Sequence, residues 1–284
     1  MSHNANKNTC IVCGKNLSAS DKYPGLLQCD SCDFLTADVN MSDDELAKLY
    51  GHDYFHDGEY GNYLSEKTAL QLNFKHRLNL ISSLPAIGTQ SKIFEIGCAY
   101  GFFLELLKGL YSKSAGIDIS ENAVKYAKDE LNVDAHHGNF LEFHPDFSPD
   151  VVCMWDVIEH LKNPREILEQ ANKITADNGY ILITTGDVRS LNARIRGPKW
   201  RLVHPPTHLH YFSKKSIETM LKDVGYENIQ FSYPSVWRTF GTIFHATVGQ
   251  KLGLRKMMAD TFIEDIPIPL NLFDIMLVSA RKCK

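Results

Sequence analysis

The chain has no run of 18 apolar residues, so it offers no helix able to span a bilayer. Its first residues, Met-Ser-His-Asn-Ala-Asn-Lys-Asn, lack the apolar stretch of a secretory signal. No block of five or more basic residues occurs, and the formal net charge is −4. That balance argues against a dedicated nucleic-acid binder. Internal repeats and low-complexity segments are also missing. The expectation from these absences is a cytoplasmic protein with no nucleic-acid partner. What is present is 284 residues, 44% of them apolar, enough for one domain with a real core plus a small extra module.

A further absence is more informative. Ile93-Phe94-Glu95-Ile96-Gly97-Cys98-Ala99-Tyr100-Gly101-Phe102-Phe103-Leu104 is an apolar run, a small-residue turn and the start of an apolar-periodic helix. Gly116-Ile117-Asp118-Ile119-Ser120 follows, a second apolar run ending in an acid. Strand, tight turn, helix, strand, acid is how a doubly wound α/β domain holds an adenosine-containing cofactor. A dinucleotide turn would read G-x-G-x-x-G, but here its second and third glycines fall on Ala99 and Phe102. With no third glycine, no pyrophosphate needs to sit against the helix N-terminus. S-adenosylmethionine has no phosphate. Glu95, Gly97, Ala99 and Gly101 would hold its amino-acid end, and Asp118, followed by Ile119, its ribose hydroxyls.

On these residues the chain resembles the class I S-adenosylmethionine-dependent methyltransferases, from about Tyr50 to the C-terminus. Gly138-Asn139-Phe140 stands where that family shows Gly-Asp-Phe or Gly-Asp-Leu. Asp150 to Leu161, which includes Trp155, Glu159 and His160, is similar to its fourth-strand motif. Gly179 to Thr185 is similar to its fifth strand. The resemblance implies a doubly wound, seven-stranded Rossmann-like sheet whose last strand is antiparallel. Asn139, Phe140 and Trp155 are then cofactor neighbours; an amide at 139 can accept from an adenine amino group without adding charge.

Seven cysteines are present. Cys10-Ile-Val-Cys13 and Cys29-Asp-Ser-Cys32, 15 residues apart, have the spacing of a structural zinc site. Four thiolates complete a closed tetrahedral shell that stabilises a ribbon with few apolar residues of its own. Cys98, Cys153 and Cys283 read as buried or incidental.

The chain therefore divides into a zinc ribbon at 1–40, a helical and aromatic segment at 41–85, and a cofactor-binding domain at 86–284. Ser42-Asp43-Asp44-Glu45 is a capping box that predicts a short helix to about Tyr50. A helix is expected from Ser65 to Leu84. Strands are expected at 92–97, 114–118, 133–137, 150–155, 180–185, 228–233 and 273–280. Helices are expected at 101–110, 121–131, 164–176 and 213–223, with Asn163 capping the one whose first residue is Pro164. Residues 186–212 read as a loop. Residues 235–270 read as an insertion, a substrate lid or a homodimer surface, and Val236–Phe244 within it as helical.

Methyl transfer from a sulfonium needs an aligned nucleophile and, for a hydroxyl or a carbon acid, a base. Three histidines concentrate in Val203-His204-Pro205-Pro206-Thr207-His208-Leu209-His210-Tyr211-Phe212-Ser213, on the side of the sheet where ligands bind. The segment is similar to a Pro-x-His-Leu-x-Tyr-Phe-Ser motif of bacterial glycan and natural-product methyltransferases. It also resembles the His-Glu-His-Leu-x-Tyr-Phe-Ser motif of sugar C-methyltransferases, which carry an N-terminal four-cysteine module. That resemblance places His208 on their catalytic histidine, with Thr207 replacing their acid. His208 is thus the expected base, His210 its reserve, and Glu159 and His160 are further catalytic candidates. Tyr54, Tyr60, Tyr63 and Tyr211 are candidate substrate contacts. The expected reaction methylates a small molecule, a sugar or sugar nucleotide, more readily at oxygen than at carbon, and releases S-adenosylhomocysteine. An RNA or protein methyltransferase recruited through the ribbon, or a non-catalytic cofactor binder, remains the alternative.

Overall fold

The structure, a computed structural model, describes residues 8–39, 45, 66–244 and 266–283. Apart from Glu45, which is helical, the helix expected after Ser42 lies outside the described residues, as do Tyr54, Tyr60 and Tyr63.

The centre is a seven-stranded sheet. Its strands are β4 (Lys92–Ile96), β5 (Lys113–Asp118), β6 (Ala135–His137), β7 (Val151–Trp155), β8 (Tyr180–Gly186), β10 (Tyr226–Ser232) and β13 (Ile275–Lys282). They lie in the order β10-β13-β8-β7-β4-β5-β6. β4 to β8 run parallel, and β13 is antiparallel to both of its neighbours. Every residue of β7 and β8 is buried, as parallel strands covered on both faces require. Alternate residues feed two separate cores. Phe94, Ile96, Val152, Met154, Ile181 and Ile183 pack with α4 (Pro164–Ile174) and α6 (Lys214–Asp223). Ile93, Val151, Cys153 and Leu182 pack with α1 (Lys67–Ser83), α2 (Phe102–Leu107) and α3 (Glu121–Asp129). The chain reverses direction across the sheet at β4, which has β5 on one side and β7 on the other. A ligand crevice opens at such a switch point, beyond the carboxyl ends of the strands.

Local chemistry explains most helix starts. The Ser120 side chain accepts from the Ala123 amide to cap α3, and Ser213 and Ser216 form a reciprocal box at α6. α4 departs from expectation. Pro164 does occupy its first turn, but Asn163 makes no capping bond; its Nδ2 is turned to Glu166 instead.

The structure corrects the sequence reading in two other segments. Residues 186–212 are not simply a loop: they contain α5 (Leu191–Arg196) and a two-residue strand, β9 (His210–Tyr211). Val236–Phe244 is not one helix. Its first half is β11 (Val236–Thr239), which pairs with β12 (Pro267–Leu270), and only α7 (Phe240–Phe244) is helical. β11 is held by α1, because Asn73 Oδ1 accepts from the Trp237 amide at 2.7 Å and Asn73 Nδ2 donates to the Trp237 carbonyl at 3.1 Å. Among the described residues, no helix is long and apolar enough to cross a membrane.

Near the N-terminus, β1 (Ser18–Ala19), β2 (Leu26–Gln28) and β3 (Leu35–Ala37) form a small antiparallel sheet. Its fourth strand is β9, from the histidine segment, with Leu35 opposite Tyr211 and Thr36 opposite His210. Cys10, Cys29, Cys32 and Phe34 also pack into the same core as α4 and α6. The cysteine-bearing segment is therefore joined to the main domain through both core and sheet.

Candidate active site

The cofactor turn follows β4. Gly97 and Gly101 have φ of +76° and +74°, where an L side chain is strained. A Cβ on Gly97 would lie 2.4 Å from Val157 Cγ2, and one on Gly101 would lie 2.9 Å from Ala127 Cβ. Both glycines are thus fixed by backbone and by space. Asp118, at the end of β5, accepts the Ala99 amide on Oδ2 and the Ser120 amide on Oδ1, each at 2.8 Å. One carboxylate orders both the turn and the cap of α3. Burial pushes its pKa up against the pull of these amides. Ile119 beyond it is exposed.

Glu95 is buried, and its Oε2 has no hydrogen-bond partner. Burial raises its pKa well above the usual range, and the charge of Arg77 opposes that rise. Trp155 Nε1 is likewise buried without a partner. Two orphaned polar atoms beside a glycine turn suit a polar ligand, because leaving such groups unsatisfied is costly. Asn139 Oδ1 accepts from the Leu141 amide at 3.0 Å. The Phe140 ring packs on Phe94 in the core.

Sequence reasoning missed Arg77. From α1 it bonds Asp156 Oδ2 at 3.0 Å and lies 4.8 Å over the Trp155 ring. The signal was faint: a single cation on the buried stripe Ala69, Asn73, Phe74, Arg77, Ile81.

The histidines form the second half of the site. Glu159 and His160 lie on a 3-10 turn directly after β7. Leu209 ties the histidine segment to that turn, its amide donating to the Glu159 carbonyl at 2.9 Å. The rings of His160 and His208 are 4.5 Å apart at 80°, and that of His204 is 3.9 Å from His208. His160 Nδ1 contacts the Thr207 carbonyl at 2.8 Å, and His208 Nδ1 the Leu202 carbonyl at 2.9 Å. A carbonyl can only accept, so each Nδ1 carries hydrogen and each Nε2 is the basic nitrogen. Glu159 Oε2 accepts from Thr185 Oγ1 at 3.0 Å. One ligand-capable atom from each of Glu159, His160 and His208 lies within 4.8 Å of the other two.

His210 and Tyr211 sit elsewhere. His210 is buried between Phe34, Phe212 and Thr36, with Thr36 Oγ1 3.0 Å from its Nδ1. Burial pushes its pKa down to about 4, against the pull of the Lys162 and Leu161 carbonyls. Tyr211 packs with Tyr23, Leu26, Leu35 and Trp200, and its hydroxyl donates to the His208 carbonyl at 3.0 Å. A cavity of about 470 Å³ lies apart from both halves of the site, lined by residues including Asp33, Asp187, Arg189, Lys214 and Tyr233.

The four N-terminal cysteines converge. Cys10 and Cys32 sulfurs are 3.6 Å apart, and those of Cys13 and Cys29 are 3.5 Å apart. All four lie within 4.8 Å of one another. Four thiolates at about 2.3 Å from one ion would sit roughly 3.8 Å apart, so the donor set fits a tetrahedral metal. The hydrogen bond from Cys32 pushes the Cys10 thiol down to about 5, while Cys32 is pushed up.

The chain resembles known proteins most clearly over this core. A probable S-adenosylmethionine-dependent methyltransferase of Mycolicibacterium smegmatis is 30% identical over 95 residues, 33% of this chain and 37% of that protein. A ubiquinone biosynthesis O-methyltransferase of Thiobacillus denitrificans is 24% identical over 150 residues, 48% of this chain and 64% of that protein. The chain therefore spans less than two thirds of either relative. Among solved structures, a SAM-dependent methyltransferase from Archaeoglobus fulgidus superposes with a TM-score of 0.52 at 18% identity, covering 81% of this chain and 97% of that one. Magnesium protoporphyrin IX methyltransferase from Synechocystis, with bound SAH, gives 0.52 at 13% identity over 80% and 90%. These structures share the fold. Residues 67–231, more than half of the chain, match the methyltransferase-domain family, and the protein belongs to that family.

Proposed function

We propose that this protein transfers the methyl group of S-adenosylmethionine to a hydroxyl of a small molecule. The observation that carries the proposal is the position of Glu159, His160 and His208, held together at the end of β7, one strand from the glycine turn. Gly97 to Gly101 and Glu95 would take the amino-acid end of the cofactor, with Arg77 near its carboxylate. Asp118 would take the ribose, and Ile119, Asn139, the Phe140 backbone and Trp155 would border the rest. The bound cofactor supplies a methyl already activated on a sulfonium. What remains is alignment and proton removal.

His208 Nε2 is the proposed base. Its Nδ1–H is fixed on the Leu202 carbonyl, and Glu159 stabilises the imidazolium that proton uptake creates. Glu159 then fills the part of the acid that the sugar C-methyltransferase motif carries at position 207. The motif resemblance favours a sugar or sugar nucleotide as acceptor. A phenolic hydroxyl is the second reading, favoured by the ubiquinone biosynthesis O-methyltransferases among the relatives. The four cysteines would hold a structural zinc ion, making 1–40 a ribbon that braces the histidine segment through β3 and β9.

The test is turnover of methyl-labelled S-adenosylmethionine against nucleotide sugars and cell metabolites, total RNA, and protein extract. Label in the metabolite pool, abolished by His208→Ala, is expected. Label only in RNA or protein refutes the acceptor class. Undiminished turnover in His208→Ala removes that residue as base.

A further inference from the structure

We propose that Glu159, His160 and His208 form a second metal site, taking a divalent transition cation such as zinc through one carboxylate oxygen and two imidazole nitrogens. Both histidines are already oriented as metal-bound histidines are, with the far ring N–H given to a backbone carbonyl, Thr207 for His160 and Leu202 for His208. The carboxylate is held in the same way by the Thr185 hydroxyl. All three side chains thus have a supporting bond of the kind that fixes ligand direction. The ligand atoms span at most 4.8 Å. Tetrahedral bonds of about 2.1 Å set ligand atoms roughly 3.4 Å apart, so the widest pair closes by up to about 1.4 Å when the ion binds. Glu159 and His208 are almost completely buried, 4% exposed each. A buried carboxylate beside two imidazoles brings together the oxygen and nitrogen donors that such a cation takes.

The ligand types select the ion. Imidazole suits zinc, copper, iron or nickel, whereas magnesium and calcium prefer oxygen alone. Three protein ligands leave a position open for water or an acceptor oxygen. The donor set, two nitrogens and one oxygen, also differs from the four sulfurs of the ribbon. One consequence rests on the base reading above: a cation on His208 Nε2 takes the lone pair that would accept the proton, so occupancy and base catalysis exclude each other.

The experiment adds cobalt(II) to protein whose cysteines are first loaded with zinc. We expect one equivalent to bind with visible d–d bands and without sulfur-to-metal charge transfer. His160→Ala and Glu159→Gln should each weaken binding by roughly tenfold or more. Calorimetric binding of S-adenosylhomocysteine by both variants verifies that they are folded. Absence of the bands, bands carrying only the sulfur signature, or unchanged affinity in both variants overturns the site. Turnover measured in the same titration should fall in step with occupancy. If cobalt binds and turnover rises instead, the metal site stands and His208 as free base is refuted.

Discussion

Thr36→Val isolates the link between the cysteine ribbon and the histidine segment. The change preserves shape and removes one hydroxyl. That hydroxyl donates to the Leu209 carbonyl at 3.2 Å and lies 3.0 Å from His210 Nδ1. The backbone bond from the Ala37 amide to the Leu209 carbonyl, at 2.8 Å, remains. Each lost hydrogen bond is worth about 1 kcal/mol, and a ring nitrogen stranded in a buried site adds about 1 more, giving roughly 3 kcal/mol. β9 is only two residues long and Thr36 faces one of them, so the cost should fall on local opening of the segment rather than on the whole sheet. Three kcal/mol corresponds to about a hundredfold faster amide exchange. Hydrogen exchange read on a peptide covering 203–212 tests this without knowledge of the acceptor. S-adenosylhomocysteine affinity should stay unchanged, because the cofactor turn shares no bond with Thr36. Exchange within a factor of about three of wild type would refute the claim that the ribbon holds the histidines through this contact.

Other perturbations probe the remaining parts. Asp118→Asn keeps one oxygen acceptor but turns a donor toward either the Ala99 or the Ser120 amide; the loss of about 2 kcal/mol should weaken S-adenosylhomocysteine binding roughly thirtyfold by calorimetry. Because burial raises the Asp118 pKa, cofactor affinity should fall with acidification from a pH above the ordinary aspartate range. The folded-state pKa exceeds the unfolded one, so in the cofactor-free protein the contribution of Asp118 to stability is present at low pH and is lost as pH rises through the raised value. Gly97→Ala combines left-handed strain with a Cβ 2.4 Å from Val157, a cost of about 3 kcal/mol that should lower the melting temperature by roughly 10 °C. Stripping metal from the four cysteines with a chelator should deprotect 10–37 and 203–212 together in hydrogen exchange; deprotection of the first segment alone would sever the proposed coupling.

The parallel core was legible because fully buried strands and a glycine turn leave strong marks. The runs at 92–97, 150–155 and 180–185 match β4, β7 and β8 to within a residue. Cysteine spacing was legible because two short knuckles leave few other geometries. β9 was not, since two residues cannot display alternation and its partner strand is more than 170 residues away. β11 was misread because Val-Trp-Arg-Thr followed by Phe-Gly-Thr-Ile-Phe is apolar at either period, and pairing with β12 decided the outcome. Of the site, Glu95, Gly97 and Asp118 followed from pattern. Arg77 and Thr185 did not, because their roles depend on which strand end lies beside them.

Why a cofactor-binding sheet should carry a ribbon at all follows from the histidine segment. Residues 186–212 form a long connection whose own secondary structure is one α-helix of six residues, a 3-10 turn at Gly197–Lys199 and one strand of two. Such a connection would not by itself keep an imidazole within reach of Glu159. Three of the backbone bonds that bring it there are the Val188 amide to the Phe212 carbonyl, the Leu209 amide to the Glu159 carbonyl, and the Ala37 amide to the Leu209 carbonyl. The last two share one residue. Leu209 gives its N–H to the turn bearing Glu159 and receives the ribbon on its carbonyl, immediately next to His208. Ser213 Oγ donates to the Cys32 carbonyl at 3.3 Å, and Arg165 Nε to the Ile11 carbonyl at 3.0 Å, joining the cysteine knuckles to the starts of α6 and α4. The four-sulfur cluster thus anchors the backbone on which His208 is carried. An insertion of even one residue between Cys32 and Thr36 would shift the β3 register, turn the Thr36 side chain away from Leu209, and separate His208 from Glu159 with every proposed catalytic residue still in the sequence.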